Sequence, residues 1–549
     1  MNQVGRTKSS SSADTELEAD VLVIGGGPAG TWAALEAVRN GATNVVLAEK
    51  GYCGSSGATA AAGTTVWYIS PDEGKRETAM DSRYDMGGRL ADYRWMERVL
   101  DRTWHGMNEL ADHGYPFPVD ATGRSQRVSL QGPEYMRLMR KRVVQAGVKI
   151  LDQSPALELL QADDGSVAGA RGVHRQNGSQ WRVRSKAVVI ATGGCAFLSR
   201  ALGCNVLTGD GLLMSAEVGA DMSGMEFSNA YAIAPESGSV TKTMFYNWAS
   251  FTDEAGEVIP GAASKGGRSV IARELNRQKV YARLDKADEA TRLAMRASQP
   301  NFFLPFDRQG IDPFTQRFSV TLRLEGTVRG TGGLRITSED CATSVSGLYA
   351  AGDAATREPI CGGFTGGGSH NAAWAISSGS WAGQGAARFA LQRGTNQRAT
   401  RGAGVAAISG AGRQTINPAA LTRAVQDEVF PFDRNYFRHA DVLAPSLGRL
   451  DDAWLGVRES APAAVEQMLA AREAAAMLAT ARWMYASALA RKESRGMHKR
   501  YDHLQLDPTQ HHHIVSGGLD QVWARPLAYD TQGGPRSAQA RAEQEGIAA

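Results

Sequence analysis

The run Gly25-Gly26-Gly27-Pro28-Ala29-Gly30 constrains the fold of this chain more than any other feature. It lies between a short apolar run, Asp20–Ile24 (DVLVI), and an alanine-rich helical stretch reaching Asn40. Glycines in G-x-G-x-x-G spacing meet three needs. Gly25 permits a tight turn, Gly27 lets backbone approach a pyrophosphate, and Gly30 allows close helix–strand packing. With Pro28 and Ala29 in the same turn, the helix N-terminus faces the phosphates. Asn44–Ala48 (NVVLA) supplies a second strand and completes a β-α-β unit, the start of a parallel doubly wound sheet. Glu49 closes that strand 19 residues after Gly30. A carboxylate there holds both ribose hydroxyls of an adenosine and disfavours a 2′-phosphate.

A chain of 549 residues needs two to four domains. Two more apolar strands run into glycine turns far downstream: Ala187–Ala191 into Thr192-Gly193-Gly194, and Gly347–Ala351 into Gly352-Asp353. Between them, residues 216–334 are richer in aromatics, prolines and charges, which predicts an inserted domain. The expected plan is α/β. A disordered leader covers 1–19, and a Rossmann-like nucleotide-binding domain is split into 20–215 and 335–393. A linker covers 394–414, and a helical domain with a tail covers 415–549, carrying a long alanine-rich helix over Pro462–Lys492.

Several function classes are disfavoured. Lys plus Arg exceeds Asp plus Glu by only 60 − 57 = 3, with no concentrated basic face, so nucleic acid is a poor partner. No apolar run is long enough for a transmembrane helix, and the serine-rich leader lacks an apolar signal core. Cys53, Cys195, Cys204, Cys341 and Cys361 are scattered without a C-x-x-C pair, which argues against iron–sulfur ligation or structural zinc within the chain. A cytoplasmic location fits best. His511-His512-His513 cannot converge well on one ion, so no metal is expected.

The glycine fingerprint leaves FAD and NAD open. Gly352-Asp353 favours FAD, because an aspartate after such a strand can bond the ribityl chain of a flavin. The expected cofactor contacts are Gly25, Gly27, Pro28, Ala29, Gly30, Glu49 and Lys50, then Ser56, Gly57, Ala58 and Thr59. Ala191, Thr192, Gly193, Thr208, Asp210, Gly352 and Asp353 follow, with Ser369, His370 and Asn371 in a glycine-rich stretch expected to face the flavin.

Further motifs narrow the reading: His113-Gly114-Tyr115-Pro116-Phe117, Thr208-Gly209-Asp210-Gly211, Gly224-Met225-Glu226-Phe227, Gly267-Arg268-Ser269-Val270-Ile271-Ala272-Arg273, and Lys492-Glu493-Ser494-Arg495-Gly496-Met497-His498. In these, and in their order over about residues 20–510, the chain resembles the succinate dehydrogenase/fumarate reductase flavoprotein family. That family also includes L-aspartate oxidase and the adenylylsulfate reductase flavin subunit. The resemblance implies an FAD domain, a capping domain over the flavin and a C-terminal helical domain.

The departures from the family pattern are informative. Covalent members carry a histidine where this chain has Gly57, so FAD is expected to be non-covalent. Tyr231, Arg329 and Thr365 stand where dicarboxylate-specific members carry two histidines and a carboxylate-clamping arginine, so an ordinary succinate or fumarate enzyme is not expected. Arg268 matches the arginine that passes a proton to substrate in fumarate reductases. Phe117 matches an aromatic beside the substrate, and Lys242 lies roughly where relatives carry a glutamate of the proton path. Tyr231, Arg329 and His370 complete the candidate catalytic set, whose positive field favours an anionic substrate.

The leading expectation is an FAD-dependent reductase or dehydrogenase acting by hydride transfer at flavin N5. An O2-using oxidase, or a flavin subunit served by a separate ferredoxin-like iron–sulfur protein, remains open. So does self-association into a homo-oligomer.

Overall fold

The strand Thr15–Ile24 is the axis of the larger sheet, because its second half is apolar on both faces. Val21, Leu22 and Val23 are fully buried, as a strand covered by helices on two sides requires. The computed structural model describes residues 14–528 apart from 73, 121, 242, 366, 395–398, 409–413 and 463–464. The strand pairs in parallel with Val45–Ala48 on one side and Gln180–Ile190 on the other. Lys149–Leu151 extends the first side, and Val167–Val173 with Ala156–Ala162 extends the second. Leu348–Ala350 also joins Gln180–Ile190 in parallel, returning the chain to this sheet after the insertion.

Small residues bring two helices close above the sheet. Pro28–Arg39 packs along the 26-residue helix Gly367–Gln392. A Cβ on Gly379 or Gly383 would lie 2.4 Å from the Ala29 carbonyl oxygen or 2.2 Å from that of Ala33. Only glycine allows this crossing.

The segment between the two halves of the sheet builds its own antiparallel sheet, in the order Ala230–Pro235, Phe318–Glu325, Val280–Arg283, Ser250–Thr252. A cluster including Phe245, Phe302, Phe303 and Phe306 backs it. The aromatic enrichment read from the sequence is this cluster, which is continuous with the main hydrophobic core.

Three boundaries differ from expectation. Thr15–Ala19, assigned to the leader, pair with Trp181–Ser185 and lengthen the central strand; residues 1–13 lie outside the described part. Within the expected linker, Thr400–Gly402 forms an edge strand on Ala156–Ala162, and Ala406 and Ala407 are buried. The C-terminal region has the helices Pro418–Val429, Ala440–Arg458 and Val465–Ala490, and then a hairpin, His512–Gly517 with Trp523–Ala528. That hairpin pairs with Met222–Ser223, tying the end of the chain to the base of the insertion. No helix among the described residues is long and apolar enough to cross a membrane.

Candidate functional site

An elongated slot opens where the central strand meets the helix Pro28–Arg39. Gly25 sits at φ +110°, and a Cβ on it would fall 2.2 Å from the Ala191 carbonyl oxygen. A Cβ on Gly30 would fall 1.8 Å from the Gly25 oxygen, whereas one on Gly27 would meet nothing within 4 Å. Gly25 and Gly30 are therefore set by packing, and Gly27 by the open slot. Gly30 itself does not line it.

Glu49 fixes the adjoining loops. Its Oε2 accepts from the Gly26 amide at 2.5 Å and its Oε1 from the Gly51 amide at 2.8 Å. Lys50 donates to Asp210 Oδ2 at 2.7 Å and to Thr208 Oγ1 at 2.8 Å, and pairs with Glu473 Oε1 at 2.6 Å. Its burial opposes the charge, yet the Asp210 and Glu473 carboxylates hold its ammonium above the ordinary lysine range. Lys50 and Asp210 line the slot, while Thr208 is buried behind them.

Ser56, Gly57, Ala58, Thr59, Ala191, Thr192 and Gly193 continue the wall, with Pro28 and Ala29 opposite. Gly352, Asp353 and Asn371 close the far end. Burial pushes the Asp353 carboxyl up, against the pull of the Arg357 and Arg329 guanidiniums. Arg357 Nη1 bonds Asp353 Oδ1 at 2.6 Å, and its Nη2 bonds the Thr327 and Gly330 carbonyls. Asn371 donates to the Val328 carbonyl at 2.8 Å, but its buried Oδ1 has no partner. Open backbone at Gly27, carboxylates at both ends and an orphaned acceptor at Asn371 fit an extended dinucleotide with flavin toward Asp353.

A larger chamber of about 1120 Å³ lies beside the slot, and the two share Ala58, Ala62, Gly63, Thr64, Val328 and Arg329. Arg268, first residue of the helix Arg268–Leu275, faces it from the inserted domain. Its Nε donates to the Ser264 carbonyl and its Nη1 to the Tyr231 carbonyl, both at 3.0 Å. Among the described residues it has no carboxylate partner. Arg329 lies 3.7 Å from Glu325 Oε1. Among the described residues, five cations line the chamber (Arg83, Arg268, Arg273, Arg329 and Lys499) against one carboxylate, Glu325.

Other expected catalytic residues are placed differently. The Tyr231 hydroxyl points away from the chamber to the Val429 carbonyl at 2.8 Å and the Phe430 carbonyl at 3.3 Å, so its role here is packing between domains. Phe117 packs on Tyr115 with ring centroids 4.5 Å apart and is not among the chamber lining. Ser369 and His370 line the chamber rather than the slot, because the first turn of their helix faces the inserted domain. His370 stacks on Trp67, with its Nδ1 3.1 Å from Ser369 Oγ. Lys242 lies outside the described residues. His511 and His513 reach the Arg89 and Leu90 carbonyls through their Nε2 atoms.

Two residues escaped the sequence reading. Glu325 is buried at the chamber wall, where its Oε1 accepts from Thr241 Oγ1 at 2.7 Å; burial pushes its carboxyl up despite Arg329 and Arg268. Arg83, in the helix Lys75–Met86, is the other. Nothing local marks either, since each depends on a cavity assembled from distant segments.

The motif near residue 495 has a legible logic. Ser494, Gly496, Met497 and Lys499 line the chamber, whereas Glu493, Arg495, His498 and Arg500 are buried behind it. Arg491 pairs with Glu226 at 2.8 Å and Glu493 at 2.9 Å, and Arg495 with Glu493 at 2.5 Å. His498 Nδ1 accepts from Arg438 at 2.8 Å while its Nε2 donates to the Arg491 carbonyl at 3.2 Å. Burial among three arginines drives this imidazole well below its usual range and keeps it neutral.

Sequence comparison matches the FAD binding domain over residues 20–237 and the fumarate reductase flavoprotein C-terminal domain over residues 436–532. The chain thus carries both an FAD-binding domain and a fumarate reductase flavoprotein C-terminal domain, as the succinate dehydrogenase/fumarate reductase flavoproteins do. Its cofactor is FAD. A probable fumarate reductase of Shewanella frigidimarina is 29% identical over 239 residues, 38% of this chain and 40% of that protein. Matches to the first three curated relatives thus span about two-fifths of their length. L-Aspartate oxidase of Streptomyces coelicolor is 25% identical over 92% of this chain and 93% of its own. The fold is that of E. coli quinol fumarate reductase FrdA, with a TM-score of 0.78 at 20% identity over 95% of this chain and all of the other. Adenylylsulfate reductase of Archaeoglobus fulgidus gives 0.75 at 18% identity, over 95% and 97%.

Proposed function

We propose that this flavoprotein is an FAD-dependent reductase or dehydrogenase of an organic anion, with FAD held non-covalently. The observation that carries the reading is the chamber's charge: among the described residues, five cations face one carboxylate beside the flavin slot. Such an imbalance is unfavourable in a low-dielectric cavity unless an anion enters it. FAD, when bound and reduced, would supply two electrons as hydride at N5. Reduction of a polarised C=C places that hydride on one carbon and a proton on the other.

Arg268 is fixed by two carbonyls, leaving its Nη2 without a hydrogen-bond partner among the described residues. It holds the substrate anion and offsets charge that develops as hydride arrives. Glu325 is buried in the same wall, and burial favours its protonated form. It supplies the proton to the substrate side. Gly57 offers no side chain for a flavin bond. The five cysteines are all buried and none is in a disulfide, which supports a reducing cytoplasm.

The test is anaerobic reoxidation of the dithionite-reduced holoenzyme by a panel of anionic and neutral enoates. Anionic acceptors should reoxidise it faster than their neutral esters. Arg268→Ala should keep FAD and slow reoxidation by on the order of 100-fold or more. Equal rates with acids and esters, or an unaltered Arg268→Ala enzyme, would overturn the assignment.

A further inference from the structure

Arg83 is only 4% exposed and lines the chamber, yet among the described residues it makes one hydrogen bond, from Nη2 to the Phe364 carbonyl at 3.1 Å. Its Nε is buried without a partner. No carboxylate among the described residues reaches it. Among the described residues eight other arginines are buried, and seven of them meet a carboxylate, as Arg357 meets Asp353, Arg472 meets Glu217 and Arg491 meets Glu226. The eighth, Arg438, bonds Asn435, His498 and the Glu226 carbonyl. Among the described residues, Arg83 alone of the buried arginines has neither a carboxylate partner nor several acceptors around it.

Desolvating a guanidinium without a counter-charge is costly, and the Phe364 ring, 5.8 Å from its centre, recovers only part of that cost. Burial accordingly lowers the Arg83 pKa. A purely structural role would be served by bonds to several carbonyls, the arrangement Arg438 has. The cavity's size points the same way. At about 1120 Å³ it slightly exceeds the roughly 300–1,000 Å³ usual for ligand pockets and is far larger than a four-carbon diacid needs. Its wall includes Met86, Leu202, Met244, Phe364, Tyr436 and Tyr501, which suit an apolar or aromatic body. Arg268 belongs to the inserted domain, whereas Arg83 stands on the FAD domain beside the Gly363–Thr365 loop.

We propose that Arg83 is a second anion subsite, and that the substrate is an elongated organic acid with an apolar or aromatic body and a second anionic group. This rests on the anionic-substrate reading above and extends it. Arg268 holds the carboxylate conjugated to the reacting bond, and Arg83 the remote one. Lys499, at the mouth of the chamber, draws such anions in.

The probes are fumarate, cinnamate and 4-carboxycinnamate, titrated into the FAD-loaded oxidised protein and followed by flavin absorbance. In the wild type, 4-carboxycinnamate should bind about tenfold or more tighter than cinnamate, with fumarate weakest. Arg83→Met should bring the ratio of the two aryl acids to about one, and Arg83→Lys should restore part of it. Equal wild-type affinities for the two aryl acids would overturn the subsite while leaving the anionic-substrate reading intact. So would an Arg83→Met protein that keeps the wild-type ratio. Parallel loss of FAD from both Arg83 variants would assign the residue to the cofactor instead. Failure of all three acids to bind the wild type would sink the anionic-substrate reading and the subsite together.

Discussion

Glu49 is where the structure makes its strongest quantitative demand on the cofactor site. Its two carboxylate oxygens are each occupied by a backbone amide, Gly26 at 2.5 Å from the phosphate turn and Gly51 at 2.8 Å from the loop that follows. Glu49→Gln preserves shape but replaces one acceptor with an NH2 group. One charge-assisted bond is lost, and a buried amide then faces a donor. Such a bond contributes roughly 1.5–3 kcal/mol, and an unsatisfied buried donor costs about 1–3 kcal/mol. Allowing for relaxation, a loss of about 2–4 kcal/mol is reasonable, because the side chain is almost fully buried. At about 1.4 kcal/mol per decade, FAD affinity should fall roughly 30- to 700-fold. The assay is titration of apo-protein with FAD by quenching of flavin fluorescence. An Glu49→Gln protein that binds FAD within twofold of wild type would refute the view that this carboxylate holds the turn for the cofactor.

Three further outcomes are expected. Burial raises the Glu325 pKa, so its neutral form persists below that raised value and is lost as pH rises through it. Affinity for 4-carboxycinnamate, measured by flavin absorbance between pH 5 and 9, should therefore fall on the alkaline side, and Glu325→Gln should flatten that limb. Gly496 sits at φ +57° with a would-be Cβ 2.1 Å from the Gly363 carbonyl oxygen, so Gly496→Ala should displace the Ser494–Lys499 turn. The expected cost is about 1–3 kcal/mol in urea unfolding, with weakened anion binding; unchanged values for both would contradict the packing argument. Gly30→Ala should abolish FAD loading, since both nearest obstacles are Gly25 backbone atoms that cannot rotate away, at 1.8 and 2.9 Å. Normal flavin content in that variant would be inconsistent with the observed turn.

The nucleotide-binding half was legible because its signals are local. A short apolar strand, three spaced glycines and a closing carboxylate fall within about thirty residues, and each constraint has one physical reading. The long helix Val465–Ala490 was readable for the same reason, since an alanine-rich run of strong helix formers persists over about seven turns. The C-terminal hairpin was not. His512–Gly517 is stabilised by pairing with Met222–Ser223, nearly three hundred residues earlier, and its histidine-rich sequence carries no strong strand pattern. Thr400–Gly402 is likewise a strand only because Ala156–Ala162 presents an edge to it.

The chamber shows the same division. Resemblance put Arg268 and Arg329 at its wall but could not say that the Tyr231 hydroxyl turns toward the Val429 and Phe430 carbonyls. Arg83 lies in a polar, strongly charged helix in which nothing separates it from Arg76 or Lys75. Its significance comes from burial without a counter-charge, which only the assembled cavity reveals.

The most direct test is an absorbance spectrum of the purified protein before and after acid precipitation, followed by anaerobic dithionite reduction and re-exposure to air. The account predicts a flavin spectrum, yellow FAD released into the supernatant, and slow reoxidation in air that an anionic enoate accelerates. Fast reoxidation by oxygen alone would favour an oxidase instead. Flavin retained in the pellet would contradict non-covalent binding at Gly57, and protein that never takes up FAD would contradict the whole account.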